Sequence, residues 1–277
     1  VGARLSSRGL NMTAISGSYQ EALSFYCRSG YKELLTEHVK KMMSFDRDSR
    51  LIKLGQSQSP DFELGLRIAI AFHDVGKIPF SDKRDLDAFY RGETLIFTGH
   101  EFLSFFLLER ALLPQVAGLQ KSTGEAAKLS VLLHHHPQNI ATRFKALSSR
   151  ALSLKHQNPL IIRKGPVISY IEELESMGLL DKAPASDIKR NLESSLKDEV
   201  EVSQVVTGSF VSKITDYLEG RRFILYKNSL NVFMPMLLSL ITMDYVSALE
   251  RNKCEGRSES RFSEVALGFY RYYLAKS

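Results

Sequence analysis

The segment Phe62–Lys77, FELGLRIAIAFHDVGK, sets the architecture of this chain. Apolar side chains recur three and four residues apart through Phe62–His73, which is the period of a core helix. Ser59-Pro60-Asp61 ahead of it reads as a capped start with proline at the first position. Gly76 is placed to end the helix just past an imidazole and a carboxylate. Side by side at a helix end, His73 and Asp74 can point at one metal, and the second carboxylate oxygen is free to bridge to another. Gly76 permits a tight exit, after which Lys77 returns a cation toward anionic oxygens.

The other histidines follow the same theme. Six of the seven fall in four short clusters: His38, His73, His100 and the run His134-His135-His136. Neutral imidazole is the commonest protein metal ligand. A mixed nitrogen and carboxylate set suits Mn, Fe, Co, Ni or Zn better than an all-oxygen set would. The clusters are too far apart for a zinc finger, whose ligands pair within a few residues, so they come from different helices. His38 in LLTEHVKKM borders an apolar face, and His100 in FTGHEFLS opens an apolar helix. Either alone is more often a satisfied core histidine than a ligand. The run VLLHHHP is harder to explain so, because three imidazoles at the end of an apolar helix are costly to bury without partners. Asp244 in LITMDYVSAL is the strongest single carboxylate signal, since an ionised Asp in an apolar helix needs compensation.

Helical period also runs through Tyr19–Met43, Glu101–Leu112, Ala126–His135, Val167–Leu179, Ile188–Leu196, Val211–Leu218, Leu230–Glu250 and Phe262–Leu274. Short β runs at Val200–Val206 and Phe223–Tyr226 allow at most one hairpin. The expected class is all-α, a helical bundle with a helical insertion or subdomain at about 140–228. Residues 1–18 form a tail, and 19–277 a single domain. The first eleven residues have no apolar core and are not a secretory signal, so Met12 offers a natural start. Leu230–Leu249 is apolar over a membrane-spanning length. It carries Asn231, Pro235 and Asp244, which fit a core helix with one functional carboxylate better than a bilayer span. Cys27 and Cys254 are read as isolated thiols of a cytoplasmic protein.

At 277 residues and 44% hydrophobic content the chain can bury a substantial core. Its formal charge of +6 permits a polyanionic partner. From Ala126 to Ile171 there is no Asp or Glu, while Lys128, Arg143, Lys145, Arg150, Lys155, Arg163 and Lys164 follow one another. Such a tract beside a metal site is where a phosphate backbone would lie, and Arg143, Lys145, Arg150 and Lys155 are the nucleic-acid candidates. A solvated surface explains the same charges equally well.

Taken in order, His38, HDVGK, GHEFLS, HHH and MDYVS resemble the HD superfamily of metal-dependent phosphohydrolases, which are all-helical. More narrowly, the chain looks like the HD nuclease of type I CRISPR interference systems, in the form where that antiviral nuclease is a separate subunit. The narrower likeness rests on His100-Glu101 followed by Ser104, on doubled histidines ending a helix, and on Asp244 to Ser247. It implies His38, His73, Asp74 and Asp244 around one divalent ion, and Asp74, His100 and two of the three histidines around another. Ser130 and Val131 select His134 and His135, and His136-Pro137 leaves a shift to His135 and His136 open. The ions implied are Mn, Ni, Co or Fe, with Mg also admitted.

By the same resemblance, Asp74 bridges the ions and positions the attacking water, Lys77 offsets phosphate charge, and Ser247 supports ligands from behind. The resemblance implies single-stranded DNA as the substrate, with RNA in branched structures a second, the surveillance complex as a partner and no membrane. No GxxxxGK[ST] loop occurs, so a helicase acts in trans. No GYP follows the histidines, which disfavours the branch that cleaves cyclic dinucleotides. The runner-up is a phosphohydrolase of a nucleotide or cyclic nucleotide. A third reading, a non-catalytic helical regulatory module, would be expected to have lost ligands.

Overall fold

The structure is a computed structural model and describes residues 22–26, 32–80, 97–135, 140–153, 159–219, 229–249 and 261–275. Its centre is the helix α3 (Phe62–Phe72), in which Leu66, Ile68, Ala69, Ile70, Ala71 and Phe72 are all fully buried. A helix apolar all round belongs inside a bundle. The preceding elements are the strands β1 (Leu23–Tyr26) and β2 (Lys32–Leu34) and the helices α1 (Leu35–Met42) and α2 (Arg50–Gln58). Past α3 the chain tightens into a 3-10 turn over Val75–Phe80, which packs on α4 (His100–Ala111). Next comes α5 (Lys121–Leu133), which packs on both α3 and α4.

Gly76 sits where the 3-10 turn meets α4. A Cβ there would lie 2.1 Å from the His100 carbonyl oxygen and 2.7 Å from the Ser104 nitrogen, so the two backbones touch.

After α6 (Ile140–Ser153), the strand β3 (Ile161–Arg163) leads into α7 (Lys164–Ser176) and α8 (Lys182–Ser195). A second strand, Glu199–Glu201, pairs antiparallel with β3 and is followed by α9 (Val202–Val205) and α10 (Gly208–Leu218). The last two helices are α11 (Ser229–Ser247) and α12 (Arg261–Tyr273). By length and composition α11 could cross a membrane. Here Val232, Met236, Leu240 and Met243 are buried, and the helix packs against α2, α3 and α5.

The all-α class is the one observed, and two expectations within it change. Tyr19–Met43 is not one helix: Leu23–Tyr26 and Lys32–Leu34 form an antiparallel hairpin, and helix begins at Leu35. The sequence between these strands holds Ser29-Gly30, a turn signal that breaks a helical run. The β run at Val200–Val206 is extended only to Glu201, and its partner is Ile161–Arg163. Phe223–Tyr226 lies outside the described residues, as do Cys27, Cys254, His136 and Lys155, and the Arg150 side chain is not described. Helices α2 and α6 escaped the periodicity reading. In α2 only Leu51, Ile52 and Gly55 are buried, too few to announce a period.

Candidate metal centre

Five segments deliver the site. His73 and Asp74 leave the end of α3, His100 opens α4, His134 and His135 close α5, His38 lies in α1, and Asp244 comes from α11. His38, His73, Asp74, His100, His134 and Asp244 are buried, and His135 is half-buried.

A single local device orients three of the rings. His73 Nδ1 donates to the Ile70 carbonyl, His100 Nδ1 to Phe97, and His134 Nδ1 to Val131, each at 2.7 Å. A carbonyl only accepts, so the proton sits on Nδ1 and Nε2 is left as the ligand atom. His38 is oriented comparably from α11. Ser247 Oγ donates to the Asp244 carbonyl at 2.8 Å, which leaves it to accept from His38 Nδ1 at 3.3 Å.

The Nε2 atoms converge. One ligand atom from each of Asp74, His100, His134 and His135 lies within 4.8 Å of the others, and His38, His73 and Asp74 form a second such group. Asp74 belongs to both. Its Oδ1 is 2.8 Å from His100 Nε2, and its Oδ2 is 3.4 Å from His73 Nε2. Asp244 Oδ1 extends the second group, at 3.0 Å from His38 Nε2 and 4.0 Å from His73 Nε2. The fit to divalent ions can be tested on the atoms themselves. Buried polar atoms almost always have a partner, yet His73 Nε2 and His134 Nε2 are buried with no hydrogen-bond partner. Orphaned imidazole lone pairs beside the carboxylates of Asp74 and Asp244 fit a nitrogen-rich metal set.

The electrostatics run the same way. Burial alone would push the Asp74 carboxyl up, but the Lys77 ammonium, then His73 and His100, hold it well below its ordinary range. Asp244 is likewise held low against burial, chiefly by His38. Burial, reinforced by His73 and His100, pushes His134 down to about 3, and burial beside His134 lowers His135. His73 goes the other way: burial would lower it, but Asp74 and Asp244 together raise it. The centre thus holds anionic carboxylates and, at His134 and His135, neutral rings, the protonation state a cation needs.

Among the remaining candidates, Lys77 is buried and donates to Asp74 Oδ2 at 2.6 Å and to the Ser24 carbonyl at 3.1 Å. It is fastened to the carboxylate. Arg143 is turned inward onto buried Glu101, through Nε and, at 2.7 Å, through its terminal nitrogen. Lys145 is exposed. Among the described residues of the tract, three more cations meet carboxylates from outside it: Lys128 pairs with Glu125, Arg163 with Glu199, and Lys164 with Asp198.

Three supporting groups escaped sequence reasoning. Ser24 Oγ donates to Asp74 Oδ2 at 3.1 Å, Glu33 Oε2 lies 3.5 Å from His38 Nδ1, and buried Tyr170 donates to the Ala71 carbonyl at 2.7 Å. None had a signal, since a Ser or Glu in a short strand reads as surface.

Residues 39–174 match the family model of the HD domain. The match holds His73, Asp74, His100, His134 and His135; His38 directly precedes it and Asp244 lies outside it. Residues 39–174 are thus similar to HD domains, and this match supports the class of metal-dependent HD phosphohydrolases. Neither the curated proteins nor the solved structures compared with the chain gave a match.

Proposed function

We propose that the chain hydrolyses phosphodiester bonds of single-stranded DNA, and secondarily of RNA, at a two-metal centre. The observation that carries this reading is Asp74, one carboxylate whose two oxygens face two separate ligand groups. Divalent ions held there would lower the pKa of a water and neutralise charge on the reacting phosphate. The chain's own contribution is rigidity. Backbone carbonyls and Ser247 fix the rings, and Lys77 with Ser24 fixes the Asp74 plane. Lys77 in this scheme orients Asp74 and does not contact phosphate.

The resemblance of GHEFLS, the doubled histidines and MDYVS supports the finer assignment, a separate nuclease subunit of type I CRISPR interference with the helicase and surveillance complex in trans. A second reading, hydrolysis of a nucleotide or cyclic nucleotide, is favoured by the basic tract. Lys128, Arg143, Arg163 and Lys164 each face a carboxylate, which leaves less positive charge for a strand than the sequence suggests.

One assay separates the two. Purified protein is incubated with labelled single-stranded DNA, single-stranded RNA, duplex DNA, cyclic nucleotides and mononucleotides, each with Mn, Mg, Ni, Co or a chelator. The nuclease reading expects metal-dependent cleavage of single strands. Turnover confined to the small nucleotides would replace it with the second.

A further inference from the structure

The far end of α4 lines a cavity of about 330 Å3, closed by the end of α8, the second strand of the β3 sheet, α9 and the start of α10. His100 and Arg110 mark the two ends of α4, so the cavity lies ~15 Å along the helix from the metal centre at 1.5 Å per residue. It shares no side chain with that centre.

Its chemistry is cationic and incompletely satisfied. Arg110 stacks its guanidinium on the Phe106 ring at 5.3 Å, and its Nε is buried without a hydrogen-bond partner. Ser195 Oγ, across the cavity, is also buried without one. Two such groups lining one cavity are hydrogen-bonding capacity that a bound polar group would satisfy. Lys197 and Lys213 line it too, and its sole carboxylate among the described residues, Glu109, is paired with Lys213 at 2.8 Å. Two positive charges remain in excess. The first turn of α10, an eleven-residue helix, adds N–H groups and the Ser209 hydroxyl. Buried Phe106 and Phe210 supply an apolar wall.

We propose that this cavity is a second, metal-independent site for a phosphate monoester of mononucleotide size. A guanidinium fork with unused N–H capacity suits phosphate oxygens. The charge excess matches a monoester of about −1.5 to −2. The aromatic wall suits a nucleoside better than bare phosphate. The volume falls at the low end of small-molecule sites, about 300–1,000 Å3, and does not suit a polymer.

Calorimetric titration of the metal-loaded protein with adenosine 5′-monophosphate and with inorganic phosphate tests this. The panel is wild type, Asp74→Ala, Arg110→Gln and Lys197→Glu, the last at an exposed position that leaves the fold intact. Nucleotide binding should persist in Asp74→Ala and weaken by about tenfold or more in Arg110→Gln and in Lys197→Glu, with their metal content unchanged. Nucleotide should also bind more tightly than inorganic phosphate. The proposal is overturned if wild type binds no nucleotide, if binding vanishes with Asp74→Ala, or if it is undiminished in folded Arg110→Gln and Lys197→Glu. Equal affinity for inorganic phosphate would overturn the nucleotide assignment.

Discussion

Arg143 on α6 grips Glu101 on α4 with two nitrogens, directly behind His100, whose Nδ1 is 3.8 Å from the same carboxylate. A cation that the sequence offers to nucleic acid is thus built into the wall of the metal centre. Glu101 is 1% exposed, so the arginine is what allows a carboxylate to stay charged there: burial would raise its pKa, and Arg143 outweighs burial.

Removing one partner should therefore unfold more than removing both. Arg143→Met strands a buried carboxylate and should destabilise by about 3–5 kcal/mol, whereas the double variant Arg143→Met with Glu101→Leu should recover much of that loss. Urea denaturation of the four-member cycle measures this. A single variant as stable as wild type would show the pair to be ornamental.

The pair also has a pH signature. The folded-state pKa of Glu101 lies below its ordinary value, so its stabilisation is present above the unfolded-state pKa of about 4.3 and is lost as pH falls through the folded value. On acidification from about pH 5, wild type should lose stability faster than the double variant, in melting curves across that range.

Asp74→Ala should remove both ions and abolish hydrolysis while helical content persists, because the carboxylate belongs to both ligand groups at a helix end. His100→Ala should reduce metal content by about one ion. Elemental analysis alongside circular dichroism distinguishes these outcomes. Near-wild-type activity in Asp74→Ala would sink the two-metal scheme.

Metal binding should release a proton from His73 at near-neutral pH, to a lesser extent as pH rises. His73 is the source, since its pKa is raised by Asp74 and Asp244 against burial, while His134, at about 3, and His135 are already neutral. Calorimetry in buffers of different ionisation enthalpy counts the protons. His73→Asn should lose the pH-dependent release.

For the nucleic-acid reading, Arg143 should be left alone and Lys145, Arg150 and Lys155 replaced together by Ala. If these hold a strand, the slope of log affinity against log salt should flatten by about 0.7 per lost phosphate contact, with metal content unchanged. An unaltered slope would leave the tract as a solvated surface.

Much of this protein is written in local pattern. Helical period named α3, α4, α5 and α11 and the all-α class, because burial of one face repeats along a helix whatever it packs against. The ligand clusters were legible for an equally local reason: charged or imidazole groups embedded in apolar runs are costly unless something binds them. Partnership is not local. His38 meets Asp244 across 206 residues, and Arg143 meets Glu101 across 42, so neither pairing leaves a trace in spacing. The fold alone aims His134 and His135 at Asp74, ties Lys77 to that carboxylate, and sets the acids of other segments against the basic tract. The first hairpin belongs with these. Its strands are too short to show alternation, and their value lies in carrying Ser24 and Glu33 to Asp74 and His38, contacts that exist only once the bundle has closed.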